Sequence, residues 1–149
     1  MRCDLGAVLV LAPLPAGVTI VPFNAEIAPA CRTLMNDVYA EGFGDIIDFE
    51  TWWTALQADA EYDPNFCLVA VAGNEVIGFC QCWTEPFIKD IVVAPRHRRR
   101  GLGTALLSRA LAAFAARGSA HIELKTDADN LRAQSVYRRL GFETVEWVG

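Results

Sequence analysis

The sequence predicts an α+β fold of the three-layer α/β type, with a mixed, mostly antiparallel central sheet of six to seven strands and about four helices. Two observations lead to this prediction. Three apolar β-rich runs follow one another between residues 67 and 93, which is typical of antiparallel strands joined by tight turns. Strand and helix patterns then alternate to residue 147, which is typical of crossover connections in a sheet. A chain of 149 residues is long enough for one core, so we expect a single domain over residues 1–149.

Two strands and two helices are predicted in the first 60 residues. The apolar run at residues 7–12 is short, has an acid in front of it and is followed at once by prolines, so we interpret it as a strand and not as a signal peptide. Residues 18–21 are β-rich and end at a proline. Apolar positions recur every three or four residues from Ile27 to Val38, and Asp48 is the expected N-cap of a second helix that ends at Ala60.

A hairpin and a third strand are predicted in the middle of the chain. Residues 67–72 and 76–80 are apolar β-rich runs separated by a Gly-Asn turn. Residues 87–93 are apolar at all but two positions, which is the pattern of a strand that is covered on both faces.

The last third of the chain alternates between helix and strand. An apolar stripe at helical spacing predicts a helix that ends at Gly118; it consists of Leu106, Leu107, Ala110, Leu111 and Phe114. Residues 120–126 alternate as a strand. Residues 131–140 predict a last helix, capped by Asp129 or Asn130.

The end of the chain leaves one sheet edge to be covered. Residues 142–147 predict a final strand, and only seven residues follow Phe142, which is room for one strand. An uncovered edge exposes unpaired backbone groups. We therefore expect either the strand at residues 7–12 or a second copy of the chain, in a homodimer, to cover that edge.

Composition restricts the class of protein. The five cysteines are an odd number without a C-x-x-C pair, which indicates a reducing compartment and a cytoplasmic location. Cys80 and Cys82 share one face of a strand, and we interpret them as packing residues. Only His97 and His121 are available to complete a site with them, so no metal is assigned. The chain has no apolar run of 18 residues, and we expect no membrane span.

Charge is divided unevenly along the chain. The first 86 residues hold 12 acidic and two basic residues, whereas residues 87–149 hold six acidic and 11 basic ones, and the net charge is −5. This division favours an anionic ligand on the later part and a cationic or neutral one on the earlier part. The basic patch at residues 97–100 also admits a nucleic-acid binder, but the acidic total charge and the lack of interleaved aromatics argue against it.

A turn rich in arginine and glycine carries the strongest functional signal. Residues 98–103 read Arg-Arg-Arg-Gly-Leu-Gly between a buried strand and an amphipathic helix. Unpaired N–H groups, the positive end of a helix and guanidinium groups at one spot form a cradle for a diphosphate. The glycines allow close approach of the backbone. The sequence has neither a Walker loop nor a dinucleotide fingerprint, which argues against nucleotide hydrolysis and hydride transfer.

Two motifs resemble those of the GNAT superfamily of acetyl-CoA-dependent N-acetyltransferases. The first runs from Ile91 to Pro95 and then from Arg98 to Thr104, and it looks like that family's acetyl-CoA motif. The second, which looks like the family's later motif, consists of Asn130, Ala133, Tyr137, Leu140, Gly141 and Phe142. The resemblance spans residues 67–147, while residues 1–60 match only as a strand followed by two helices.

The resemblance implies the roles of the site residues. Backbone groups of Ile91, Val92 and Val93 would pair with the pantetheine arm of acetyl-CoA, which is the cosubstrate, and Asn130 would contact it where the strands separate. The diphosphate would be held by residues 98–104, which are Arg98, Arg99, Arg100, Gly101, Leu102, Gly103 and Thr104.

The resemblance also implies direct attack of a neutral primary amine on the thioester, through a tetrahedral intermediate. An N–H near Val93 would stabilise the oxyanion and Tyr137 would protonate the leaving sulfur. Its position on an apolar stripe alone favours the interpretation of Tyr137 as a core residue.

The identity of the general base stays open. Glu85 has the strand parity to face the same side as Phe87, where some relatives carry a glutamate, and we list it as the candidate catalytic base. Asp90, Glu123 and the two histidines are alternatives, and ordinary solvated carboxylates are a competing interpretation.

The acceptor stays open as well. Tyr39, Trp52 and Trp53 lie in the segment that forms the acceptor wall in the family, and nearby acids favour a cationic amine; these are Asp37, Glu41, Asp45 and Asp48. The acceptor is either a small-molecule amine or the N-terminus or lysine of a protein. The alternative hypothesis for the whole chain is a non-catalytic acyl-CoA-binding protein.

Overall fold

The computed structural model describes residues 1–6 and 11–145, and the strands within these ranges form one six-stranded sheet in the order β1-β6-β5-β4-β3-β2. The strands are β1 Arg2–Asp4, β2 Val18–Pro22, β3 Cys67–Ala72, β4 Glu75–Trp83, β5 Phe87–Val93 and β6 His121–Leu124. The α-helices are α1 Ala28–Tyr39, α2 Phe49–Ala58, α3 Leu102–Ala116 and α4 Leu131–Arg139. The expected α+β fold with a mixed sheet is confirmed.

The sheet has antiparallel and parallel parts, as the order of its elements requires. Strands β2 to β5 pair antiparallel in sequence, and β3 and β4 form the expected hairpin. Strand β6 pairs parallel to β5 because α3 crosses over between them. One residue is inserted in β5 where it pairs with β4, since Gln81 lies opposite Asp90 but Cys82 lies opposite Ile88.

Helices pack on both faces of the sheet. A side chain at Gly78 in β4 would approach Leu106 of α3 to 2.9 Å, so α3 lies close to that face. The next residue, Phe79, points to the other face, where it stacks on Phe23 and contacts Trp52 of α2. Phe79 is fully buried, so the core lies on both sides of β4.

Helix ends follow local side-chain chemistry. The Asp48 carboxylate accepts a hydrogen bond from the backbone N–H of Thr51 at 3.1 Å and another from its hydroxyl at 2.7 Å, which confirms the expected N-cap of α2. The N-cap of α4 is Asn130, whose Oδ1 accepts from the N–H of Ala133 at 3.3 Å. The N-cap of α3 is Gly101, with φ of 82°.

The sheet edge is covered differently from the sequence expectation. Strand β1, not a strand at residues 7–12, pairs antiparallel with β6. Residues 7–10 lie outside the described residues, and Leu11 and Ala12 are not in a strand. The predicted strand at 142–147 is reduced, within the residues described, to a single bridge of Glu143 with Arg2, and residues 146–149 lie outside the description. The three-residue β1 was missed because so short a run has no readable periodicity.

In the described part of the chain, none of the helices is both long and apolar enough to cross a bilayer.

Candidate functional site

Strands β5 and β6 separate in the middle of the sheet. Strand β6 ends at Leu124, which lies opposite Ile88, whereas β5 continues to Val93. Among the described residues, the stretch from Lys89 to Val93 therefore has a strand partner on its β4 side only. The other edge of Ile91, Val92 and Val93 is open to an extended ligand, which can pair with a strand through main-chain hydrogen bonds.

The open edge leads to a turn with unusual backbone geometry. A short 3₁₀ turn at Pro95–His97 follows β5, and then Arg99 and Gly101 have φ of 64° and 82°. A left-handed conformation costs a residue with a side chain about 1–2 kcal/mol, so Arg99 is held in a strained state. Such strain is often found at ligand-binding sites. Gly101 provides no side-chain cap for α3, and within the described residues the helix itself supplies no partners for the N–H groups of its first turn.

This turn fits a diphosphate. Space is open where a side chain at Gly101 would lie, so backbone N–H groups are accessible there. At Gly103 a side chain would meet Val93 at an ordinary 3.8 Å. Unpaired N–H groups at a helix N-terminus, together with guanidinium groups, are the donors that phosphate oxygens prefer.

The three arginines of the turn differ in what they contact. Arg98 forms an ion pair with Glu41, from the segment after α1, at 3.0 Å. Arg100 lies 2.9 Å from Nδ1 of His97 and donates to the carbonyl of Ala16 at 3.2 Å. Arg99 is exposed. The guanidinium groups thus surround the turn, and one of them ties it to the segment that follows α1.

Tyr137 lies on α4, which follows β6 in the chain. Its ring packs on Phe142 at 5.9 Å between centroids. Burial, with a smaller contribution from Cys80, raises the pKa of Tyr137 to about 12, so the phenol keeps its proton at neutral pH. The hydroxyl is therefore suited to donate a hydrogen bond or a proton.

A second tyrosine contacts a carboxylate of β5. The hydroxyl of Tyr39, at the end of α1, donates to Oδ1 of Asp90 at 2.5 Å. The inserted residue of β5, Lys89, directly precedes Asp90, and such bulges re-aim side chains. Burial raises the pKa of Asp90, while Lys89, the Tyr39 hydrogen bond and Arg32 act against that rise. A carboxylate with a raised pKa is a better proton acceptor than a solvated one.

Arg32 completes this group of residues, and sequence reasoning missed it. It is 3% exposed, and its guanidinium donates to Oδ1 of Asn36 at 3.0 and 2.8 Å and to the carbonyl of Asp45 at 2.7 Å. It also lies over the rings of Tyr39 and Trp52, at 6.0 and 5.6 Å from their centroids. The signal that could have identified it is its place in an acidic half of the sequence, on the apolar stripe of α1.

Glu85 lies apart from this group. It is exposed, in the turn between β4 and β5, and its N–H donates to Glu61 at 2.7 Å. Five residues separate it from Asp90, which corresponds to roughly 17 Å along an extended chain. The structure therefore brings Asp90 to Tyr39 and leaves Glu85 near the opposite end of β5.

The remaining candidates have other partners. Glu123 pairs with Arg2 at 2.6 Å, and His121 lies 3.7 Å from the same carboxylate. Trp52 and Trp53 pack with Phe23 at 6.4 and 6.0 Å between ring centroids, in an aromatic core.

Known proteins resemble this chain in sequence and in structure. The model of the acetyltransferase (GNAT) family matches residues 29–142. A mycothiol acetyltransferase from Kineococcus radiotolerans is 32% identical over 141 residues, covering 90% of this chain and 45% of that protein. The chain therefore spans less than half the length of this relative.

Solved structures are similar as well. A GCN5-related N-acetyltransferase from Sphaerobacter thermophilus has a TM-score of 0.75 and 25% identity, over 94% of this chain and 45% of that one. An aminoglycoside N-acetyltransferase, solved in complex with CoA, has a TM-score of 0.70 and 21% identity, over 93% of this chain and 95% of that one.

Proposed function

This chain belongs to the acetyltransferase (GNAT) family, and from that premise we propose that it is an acyltransferase that moves the acetyl group of acetyl-CoA to a primary amine. One observation supports the proposal most directly. The open edge of β5 leads into a cationic glycine turn at the start of α3, and Asp90 lies on that same strand.

Acetyl-CoA, as cosubstrate, would be held along this path. Backbone groups of Ile91, Val92 and Val93 would pair with its pantetheine arm, and Asn130 would contact it near the gap between β5 and β6. Residues 98–104 would bind the diphosphate through backbone N–H groups and arginine side chains. The thioester supplies an activated acetyl group and a thiolate leaving group.

Two side chains would handle the protons of the reaction. Asp90 is our candidate for accepting the proton of the incoming ammonium, because burial raises its pKa and Tyr39 fixes its orientation. Glu85, the candidate from strand parity, lies in an exposed turn and is retained as the alternative. Tyr137 would donate to the leaving sulfur, since its pKa of about 12 keeps the phenol protonated.

The acceptor is proposed to be a small-molecule or peptide amine, and a cationic one in particular. Acidic residues follow α1, although Glu41 pairs with Arg98 and Asp48 caps α2. The acidic residues after α1 would attract an ammonium group electrostatically over a long distance, and salt would weaken that attraction. All five cysteines are free, which supports a reducing compartment such as the cytoplasm.

A panel of amines and peptides tests the proposal. Each is mixed with protein and acetyl-CoA, and release of free thiol is followed at low and high salt. Turnover of at least one amine is expected, with a preference for cationic acceptors that salt weakens. If coenzyme A binds but no acceptor in a broad panel is acetylated, the chain is a non-catalytic acyl-CoA-binding protein, and Tyr137→Phe then changes nothing.

A further inference from the structure

A glutamine in the middle of β4 has an unpartnered donor. Gln81 is 1% exposed, and its Nε2 is, among the described residues, a buried side-chain nitrogen without a hydrogen-bond partner. A buried donor without an acceptor costs about 1–3 kcal/mol of stability relative to a satisfied one. Most such groups in native proteins have partners, so a persistent exception indicates a ligand or an ordered water.

Gln81 lies directly opposite Asp90 in the β4–β5 ladder. Side chains of directly opposed residues share one face of a sheet, with Cβ atoms about 4.5–5.5 Å apart. Even so, Asp90 does not satisfy the amide. Oδ1 of Asp90 accepts from Tyr39 at 2.5 Å, and Lys89 lies 4.0 Å from Oδ2.

Arg32 lies on the same face as Gln81 and Asp90. Phe79, two residues before Gln81, contacts Trp52, and the Arg32 guanidinium lies over Trp52 and Tyr39. Its hydrogen bonds go to an amide oxygen and a backbone carbonyl, and its charge interacts with the carboxylates of Asp90 and Asp45. Because Arg32 and Asp90 carry opposite charges, the preference near Gln81 comes from its free amide N–H, which favours an oxygen acceptor.

We propose that Gln81 is a specificity-determining residue whose amide donates a hydrogen bond to an oxygen of the acceptor substrate. This inference rests on the proposed acetyl transfer, with the amine of the acceptor at Asp90. Because Gln81 and Asp90 are adjacent, the oxygen lies within one or two carbon atoms of the reacting nitrogen. The acceptor is accordingly an α-amino carbonyl compound, in which a carbonyl or carboxylate group is attached to the carbon that bears the amine.

Two matched acceptors test the inference. L-alaninamide carries the carbonyl group, and 3-methyl-2-butanamine has an isopropyl group of similar shape in its place. The ratio of kcat/KM for the two amines is measured in the wild type and in Gln81→Met and Gln81→Leu. Comparing ratios between proteins cancels the difference in basicity between the amines. Loss of one hydrogen bond in a desolvated site is worth about tenfold, so the ratio should fall by about that factor in both variants.

Two controls separate this effect from a packing defect. Gln57→Met changes an exposed glutamine on α2 and should leave the ratio unchanged. Replacing an unsatisfied buried amide by an apolar side chain of similar size is close to neutral for stability, so the melting temperatures of the Gln81 variants should stay near that of the wild type. A variant that lowers the rates with both amines equally would contradict the inference.

Binding provides a readout that does not require catalysis. Each amine is titrated into protein saturated with coenzyme A, and heat is measured. A Gln81-dependent preference for L-alaninamide without turnover would support the inference while contradicting acetyl transfer. Turnover without that preference would support acetyl transfer while contradicting the inference. Absence of the preference from both the kinetic and the binding measurement overturns the inference. L-alanine and alanylglycine, run in parallel, distinguish a free amino acid from a peptide N-terminus.

Discussion

The hydroxyl of Tyr39 donates to Oδ1 of Asp90 at 2.5 Å, which joins the end of α1 to β5 beside its inserted residue. The contact places a proton donor from the end of α1 on the carboxylate that we propose as the base. It therefore links the position of α1 to the protonation of Asp90.

Tyr39→Phe should move the acidic limb of the pH profile. The hydrogen bond from Tyr39 lowers the pKa of Asp90 against the larger effect of burial, so removing it raises that pKa further. A base with a higher pKa is protonated over a wider acidic range, and the acidic limb of kcat/KM should shift to higher pH. An unchanged limb, at full coenzyme A affinity, would show that Asp90 is not the titrating group.

Asp90→Asn and Glu85→Gln should differ strongly. The first removes the proposed base and should lower kcat by about 10²-fold or more, whereas the second changes an exposed turn and should leave kcat within about twofold. Steady-state kinetics with the best amine of the panel measures both. A larger loss of kcat in Glu85→Gln than in Asp90→Asn would instead identify Glu85 as the base.

Tyr137→Phe should lower kcat by about 10²-fold and leave the affinity for coenzyme A unchanged. The phenol holds its proton because burial raises its pKa to about 12, and phenylalanine keeps the packing on Phe142 but has no proton to donate. Tyr62→Phe, at a tyrosine that packs on Phe23, is the matched control and should retain full activity. Equal activities of the two variants would assign Tyr137 to packing alone.

Gly44→Ala should disturb the hydrogen bond between Tyr39 and Asp90 by displacing the Tyr39 ring. A Cβ at Gly44 would overlap the ring of Tyr39, so either the ring or the segment after α1 must move. Overpacking of this kind typically costs about 1–3 kcal/mol of unfolding free energy. Chemical denaturation should show that loss, and the acidic limb should shift as in Tyr39→Phe. Gly6→Ala, where no atom lies within 4 Å, is the control, and identical behaviour of the two variants would contradict the packing argument.

Local patterns predicted most of the fold. The Asp48 cap, the Gly-Asn hairpin and the glycine at the start of α3 are each specified by a few neighbouring residues, and the structure confirms them. The edge strand Arg2–Asp4 could not be predicted in the same way. It is three residues long and is fixed by pairing with β6, more than 100 residues later in the chain.

The site residues also divide into those that a local motif predicts and those that depend on packing between distant segments. The turn at residues 98–104 is a contiguous motif and was visible in the sequence. Arg32, Gln81 and the contact of Tyr39 with Asp90 depend on the packing of α1 across two strands. Sequence parity favoured Glu85, but the structure places Glu85 in the turn before β5, where the alternation of a strand does not apply.

Titration of coenzyme A into Gly101→Asp, followed by calorimetry, tests the central claim most directly. Gly101 has φ of 82° and open space at its Cβ position, so aspartate would place a carboxylate where the diphosphate is expected, at a backbone cost of about 1 kcal/mol. Gly73→Asp introduces the same residue at a φ of 61° in the β3–β4 turn and controls for charge and strain. We predict that Gly101→Asp loses measurable affinity while Gly73→Asp binds like the wild type. Wild-type affinity in Gly101→Asp would contradict binding of the diphosphate at the start of α3.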